Sequence, residues 1–187
     1  VTTVSTSGLS NAAPMSFFNV FAQEPPIVIL GIGNKPDGLV KDTLTNIQET
    51  GEFVINLCDL SIAQAMVDCG INFEHDVDEV EKSGLSLAPS LQVRPGRVRE
   101  SPCSMECRVH QSVEFPGRSI VLGEVVQMNV RDDCLDKDTQ AFRPETYQPI
   151  ARLHDDNYIV ADTQFVLKAT PALKNSVTGS VSSGEAR

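Results

Sequence analysis

Tryptophan is absent from this sequence, and aromatic residues fill only 5% of its 187 positions. That is lean for a globular chain, but a hydrophobic share of 41% at this length still allows one domain with a buried core. Basic residues are scarce as well: 15 Lys and Arg stand against 25 Asp and Glu, giving a formal net charge of −10, and no basic run occurs. A nucleic-acid binder needs a basic face to neutralise phosphates, so nucleic acid and anionic membrane surfaces are not expected partners. No apolar stretch approaches the length of a bilayer span, and no charged segment followed by an apolar core opens the chain. A soluble, cytoplasmic protein is expected. The chain opens on Val1 rather than Met, which reads as processing or as missing first residues.

Other chemistry is missing too. The five cysteines (Cys58, Cys69, Cys103, Cys107, Cys134) are odd in number and scattered. Cys103 and Cys107 have a metal-like gap, but no second pair or nearby His completes a site, so they read as buried, reduced thiols and no metal is expected. Gly31-Ile32-Gly33 lacks the third glycine and the following helix of a Rossmann fingerprint. There is no internal repeat and no Ser/His/Asp or Cys/His arrangement, so no catalytic side chain is assigned. The segment from Asn175 to Arg187 is rich in Ser, Gly and Thr; residues 1–172 are read as one domain and 173–187 as a disordered tail.

What remains reads mainly as strands with a few short helices. Val1–Val4 and the Phe- and Val-rich Met15–Ala22 are strand-like, and Ile27–Leu30 is apolar on both faces, as in a buried strand. Asp42 is placed as N-cap of a short helix in which Leu44 and Ile47 share a face, with Gly51 as its stop. Phe53–Leu57 returns as a strand. Ser61 is read as capping a second helix through Met66, and Asp76–Ser83 as a marginal third. Cys103–Phe115 alternates: its odd positions carry Cys103, Met105, Cys107, Val109, Val113 and Phe115, and its even positions Ser104, Glu106, Arg108, His110, Ser112 and Glu114. One buried and one wet face are expected. Pro116-Gly117 turns the chain into a second long strand, Ser119–Val130. Long antiparallel strands with helices confined to connections point to a barrel rather than a doubly wound fold.

Two segments could meet a ligand. Ser10–Asn19 combines small residues and Pro14 with the polar Asn11 and Ser16, so that a flat group can approach the backbone. Lys41-Asp42-Thr43 stands at a helix start, where free N–H groups and the Lys41 charge suit a phosphate, although Asp42 as N-cap would compete for those donors.

Taken together, several ordered pieces resemble the flavin-reductase-like, FMN-binding split-barrel family. They are Val1–Gly8, Asn11–Asn19 and Glu24-Pro25-Pro26, then Lys41–Leu44 through Gly51–Leu57, Ser83–Ser86, Glu100–Pro102 through Glu106-Cys107, Leu122–Val126 and Ala151–Leu153. The resemblance covers residues 1–168. It implies a six-stranded antiparallel Greek-key split barrel, a homodimer with FMN at the interface, and a flavoprotein that moves electrons from NAD(P)H through FMN to an unspecified small-molecule or protein acceptor. It implies that Asn11, Ala13, Pro14, Met15 and Ser16 line the isoalloxazine ring. Thr3, Ser5, Lys41, Asp42 and Thr43 would lie near the ribityl chain or phosphate.

The chain also departs from the family's pattern. Arg118-Ser119-Ile120-Val121 stands where monooxygenase-feeding reductases carry Gly-Asp-His, which leaves an electron-transfer module without its own nicotinamide site as an alternative. A flavin-free binding protein on the same barrel is another. After Arg152-Leu153, His154-Asp155-Asp156 replaces paired glycines, so Arg152 and His154 are placed on the substrate side. His110 and His75 read as ordinary surface residues. Glu124 shares a face with Ile120, Leu122, Val126 and Met128, and a structural pairing or a bulge at Gly123 is expected there.

Overall fold

The computed structural model describes residues 1–71, 79–163 and 165–168. The segment 173–187, His75 and residues 76–78 of the marginal helix lie outside these. Among the described residues the chain forms β1 (Thr2–Val4), β2 (Ser10–Ala12), β3 (Phe18–Gln23), β4 (Pro26–Gly33), α1 (Asp42–Thr50), β5 (Glu52–Asn56), α2 (Ala63–Asp68) and α3 (Glu79–Lys82). It continues with β6 (Leu87–Ala88), β7 (Arg97–Val98), β8 (Cys103–Phe115), β9 (Arg118–Val130), β10 (Ile150–His154) and β11 (Asn157–Val160). The molecule is mainly β, and among the described residues no helix is long and apolar enough to cross a membrane.

Seven antiparallel strands form the main sheet, in the order β2-β1-β5-β8-β9-β4-β3. Six were expected. The extra one arises because Ser10–Ala12 doubles back on Thr2–Val4, around a turn in which Gly8 takes a φ of 92° and donates to the Ser5 carbonyl. β5, β8 and β9 lie side by side with β4 beside β9. The order also forces curvature. β2 and β3 are the two edges, yet only residues 13–17 separate them in the chain. Six strand spacings in a flat sheet would span about 29 Å, whereas the chain from Ala12 to Phe18 reaches at most about 21 Å. The sheet is therefore curled, and residues 13–17 bridge its edges, tied to β4 by Gly31 N donating to the Phe17 carbonyl at 2.8 Å.

The inside of the curl is packed by Val28, Leu30 and Ile32 of β4, Phe53 and Ile55 of β5, Met105 and Cys107 of β8, and Val121 of β9. Leu44 and Ile47, the apolar face of α1, join the same core. Gly51 ends α1 as expected, at φ 70° with its N–H on the Ile47 carbonyl. Gly123 is required by packing: a Cβ there would lie 2.3 Å from Cζ of Phe53, whose fully buried ring occupies that space.

Three local expectations are corrected. Lys41, not Asp42, holds the N-cap position of α1, with extended backbone and no side-chain cap; Asp42 is the first helical residue and its carboxylate accepts from Lys35 Nζ at 3.0 Å instead. Asp59, not Ser61, caps the next segment, accepting from the N–H and hydroxyl of Ser61 ahead of a short 3-10 turn that leads into α2. The two-faced reading of β8 also fails. Cys103–Cys107 is buried on both faces, whereas Val113 and Phe115 are 38% and 49% exposed. The cause is Glu106, which is fully buried. Its carboxylate accepts from the N–H groups of Leu91 and Gln92 at 3.0 and 2.6 Å and from Asn129 Nδ2 at 2.9 Å, so it pins the connection before β7 over that half of the strand. The expected irregularity near Gly123 is present on the partner strand: β8 and β9 shift register between Val109 and Gln111, opposite Gly123 and Leu122, and Glu124 is exposed.

Candidate functional site

A cleft of about 820 Å³ opens where residues 13–17 cross between the sheet edges. The closing segment supplies one wall, with Asn11, Ala13, Pro14, Met15 and Ser16 among its lining residues. The start of α1 supplies Lys41, Asp42 and Thr43, and Lys35 reaches in from the preceding loop. Ile55, Leu57, Ile62 and Val67 add apolar surface from β5 and the segment through α2. A last side comes from far along the chain, as Tyr147, Pro149, Ile150, Arg152, Asp156 and Tyr158.

Buried polar bonds hold this wall in place. Asn11, 8% exposed, donates from Nδ2 to the hydroxyls of Thr3 at 3.3 Å and Thr43 at 3.0 Å. Asn46 on α1 donates to the same Thr3 hydroxyl at 3.0 Å. The network locks β1, β2 and α1 together, which fixes both the closing segment and the helix start. Thr3 and Thr43 are each 1% exposed. Thr43 lines the cleft, but Thr3 does not; it lies behind the wall. Ser5 is also outside the lining, its hydroxyl accepting from Leu9 N at 3.0 Å within the β1–β2 turn.

Positive charge gathers here in a chain of net charge −10. Lys35, Lys41 and Arg152 face two carboxylates, Asp42 and Asp156. Lys35 is spent on Asp42 at 3.0 Å; Lys41 makes no ion pair among the described residues. Cys58 is the half-buried thiol of the lining, and burial pushes it from 9.0 up to about 11, so it stays protonated at neutral pH. Burial likewise raises the Tyr147 phenol above its usual value, with Cys103 and Asp59 adding to the effect.

Arg152 and Tyr158 face one another across the β10–β11 hairpin, which forms its own two-stranded sheet. His154 sits at the hairpin's end and is not part of the lining; its carbonyl accepts from Asn157 Nδ2. Sequence reasoning missed Cys58, Tyr147 and Tyr158, which carry no local motif and reach the cleft only through the fold. Among the described residues no three His, Cys, Asp or Glu side chains cluster so as to hold a metal ion.

Known proteins resemble this chain in sequence and fold. The flavin reductase like domain model matches residues 1–151. The 2-nitrobenzoate 2-nitroreductase of Pseudomonas fluorescens is 33% identical, with a TM-score of 0.80, over 98% of this chain and 85% of its own. Nitrilotriacetate monooxygenase component B of Bacillus cereus is 30% identical, with a TM-score of 0.82, over 89% of this chain and 84% of its own. A split barrel domain protein from Shewanella frigidimarina shares the fold at a TM-score of 0.79 and 22% identity, over 90% of this chain and 83% of its own. With the family model spanning the closing segment, the α1 start and all seven strands of the main sheet, this chain belongs to the flavin reductase like family and is a flavin-binding oxidoreductase.

Proposed function

We propose that the flavin is FMN and that the protein, as a homodimer, takes electrons from NADH or NADPH and delivers them to a second substrate or protein. One observation carries this: a cleft of about 820 Å³ whose polar wall is locked from behind and whose cationic end lies at the start of α1. Its volume is within the range of cofactor pockets. The donor set fits FMN. Lys41, the α1 start and the Lys35–Asp42 pair form a single charged end, which suits one terminal phosphate better than a dinucleotide. Pro14, Met15 and Leu57 provide apolar surface for a planar ring, and Ala13 and Ser16 let it lie close to the backbone. Asn11 and Thr43 face the same space, while Thr3 acts by orienting Asn11 and Ser5 by shaping its turn.

The flavin, when bound, supplies the redox chemistry, accepting a hydride and releasing electrons singly or in pairs. The chain's own part is to bind, orient and exclude water. Lys41 offsets the phosphate charge, and Ile55, Leu57, Ile62 and Val67 keep the ring side dry.

The dimer is supported by an uncovered sheet face. Phe17 is 72% exposed beside Gly31 of β4. The Gly31–Ile120–Val113 and Ile29–Leu122–Gln111 rows continue the same face across β4, β9 and β8. That patch adjoins the cleft through Ser16 and Phe17, so a second copy seated on it would complete the cleft's outer side.

The carrier alternative is favoured by one feature: no described histidine lines the cleft, and Ser119, where the reductases have their Gly-Asp-His, is 2% exposed and donates to Glu114. A visible spectrum of the purified protein with FMN, then anaerobic NADH and NADPH, separates the readings. Bands at about 450 nm that bleach with a nicotinamide support the reductase. Bands that persist support the carrier. A protein that takes up no FMN overturns the FMN assignment.

A further inference from the structure

Once a phosphate is assigned to the α1 end, one cation of the cleft is left without a task. Lys35 is neutralised by Asp42 and Lys41 faces the phosphate, but Arg152 lies on the opposite wall and makes no ion pair among the described residues. Its guanidinium is nevertheless positioned. Nε donates to the Asp155 carbonyl at 2.8 Å, and Asp155 closes the hairpin turn at φ 49°. Nη1 and Nη2 have no hydrogen bond among the described residues. Tyr158 pairs directly with Arg152 in the hairpin register, so the two side chains share a face and both line the cleft.

We propose that Arg152 and Tyr158 form a second subsite, which binds the carboxylate of a small planar organic acid. The proposal rests on the flavin reading only in that Lys41 is then occupied. A guanidinium held through Nε presents its remaining donors as a fork that matches a carboxylate. The Tyr158 and Tyr147 rings, with Ile150, give a flat apolar surround. Charge decides against phosphate groups. With the Val1 ammonium on the Ala13 carbonyl, the remaining lining charges are Arg152 and Asp156, which cancel, so an anion is held only by direct pairing with the Arg152 fork, and a phosphate dianion would set an unmatched second charge beside Asp156.

Calorimetric titration tests this, with benzoate, its neutral isostere benzamide, and inorganic phosphate as probes, on the protein with and without FMN. Benzoate should bind at least tenfold more tightly than benzamide. Arg152→Met should weaken benzoate by roughly tenfold to a hundredfold while leaving FMN and benzamide affinity unchanged, which also shows that the variant is folded. Arg152→Lys should restore only part of the loss, because an ammonium cannot make the paired contact. Benzoate that binds no better than benzamide overturns the subsite. So does benzoate that ignores Arg152→Met, shows no binding up to about 10 mM, or is displaced equally well by phosphate. FMN binding that fails while benzoate still depends on Arg152 supports the subsite and sinks the FMN assignment separately.

Discussion

Glu106→Ala should cost about 3 kcal/mol of stability, although the residue is not part of the cleft lining. Its carboxylate is fully buried and serves three donors, Leu91 N, Gln92 N and Asn129 Nδ2, at 2.6 to 3.0 Å. Removing it leaves all three without their acceptor, at roughly 1–3 kcal/mol each. The lower end applies, because Leu91 is 69% exposed and water can reach the two backbone N–H groups. In a chain of this size such a loss lowers Tm by about 6–12 °C. Glu106→Gln should cost less, about 1–2 kcal/mol, since one acceptor oxygen remains for Leu91 and Gln92 and the Asn129 amide can rotate to accept from the new NH2. Urea denaturation gives the energies, and hydrogen exchange at Leu91 and Gln92 gives the location, with both amides exchanging faster in the alanine variant. An alanine variant within about 0.5 kcal/mol of the parent, or unaltered exchange at those amides, would refute the claim that this carboxylate holds the connection down.

Gly123→Ala should destabilise by about 1–3 kcal/mol through overpacking, since its Cβ would fall 2.3 Å from Phe53 Cζ; adding Phe53→Leu should recover part of that, and strictly additive losses in denaturant melts would contradict the clash. Lys41→Ala should weaken FMN about tenfold in a fluorescence titration, with a shallower salt dependence than the parent; unchanged affinity at moderate salt removes Lys41 from the phosphate site. Cys58, raised to about 11, should alkylate slowly at pH 7 and about tenfold faster per pH unit until that value, with FMN slowing the reaction; rapid labelling at neutral pH would show a thiolate that burial does not permit. Cys58, Cys103 and Cys107 are all raised, to about 11, 11 and 12, so their contribution to stability is complete below 9.0, the unfolded thiol value, and falls as pH rises toward 11; a melting temperature flat across that window would contradict burial of the neutral thiols.

Strand positions were legible wherever the local pattern and the turn chemistry agreed. Cys103–Phe115 and its Pro116-Gly117 turn appear in the sequence as they do in the fold, and Gly51 ends its helix by its own conformational freedom. Which face of β8 is covered was not legible. Alternation reports a strand's two sides but not that another segment will lie over half its length, and the clue was a carboxylate, which in sequence reads as surface. The helix starts were misassigned for a related reason. Asp42 suits an N-cap by type, but it stands one residue inside the helix, with its carboxylate accepting from Lys35 Nζ. The closing segment and the α1 start both line the cleft, yet a hydroxyl looks the same in sequence whether it faces that space or an amide. Thr3 proved to serve Asn11 and Asn46, while Tyr147 and Tyr158 arrive from over a hundred residues beyond the first wall.

Residues 13–17 shut the curled sheet and residues 13–16 also line the cleft, so a change there alters two things at once. Among the described residues the β10–β11 hairpin carries no such double duty, for neither of its strands is hydrogen-bonded into the main sheet. The two walls therefore differ in how freely they can diversify. Changes in the closing segment are tied to the integrity of the scaffold, whereas changes in the hairpin wall leave the main sheet's own ladder intact. Transplanting Ile150–Val160 from a relative should retune what the oxidoreductase accepts without refolding the barrel beneath it.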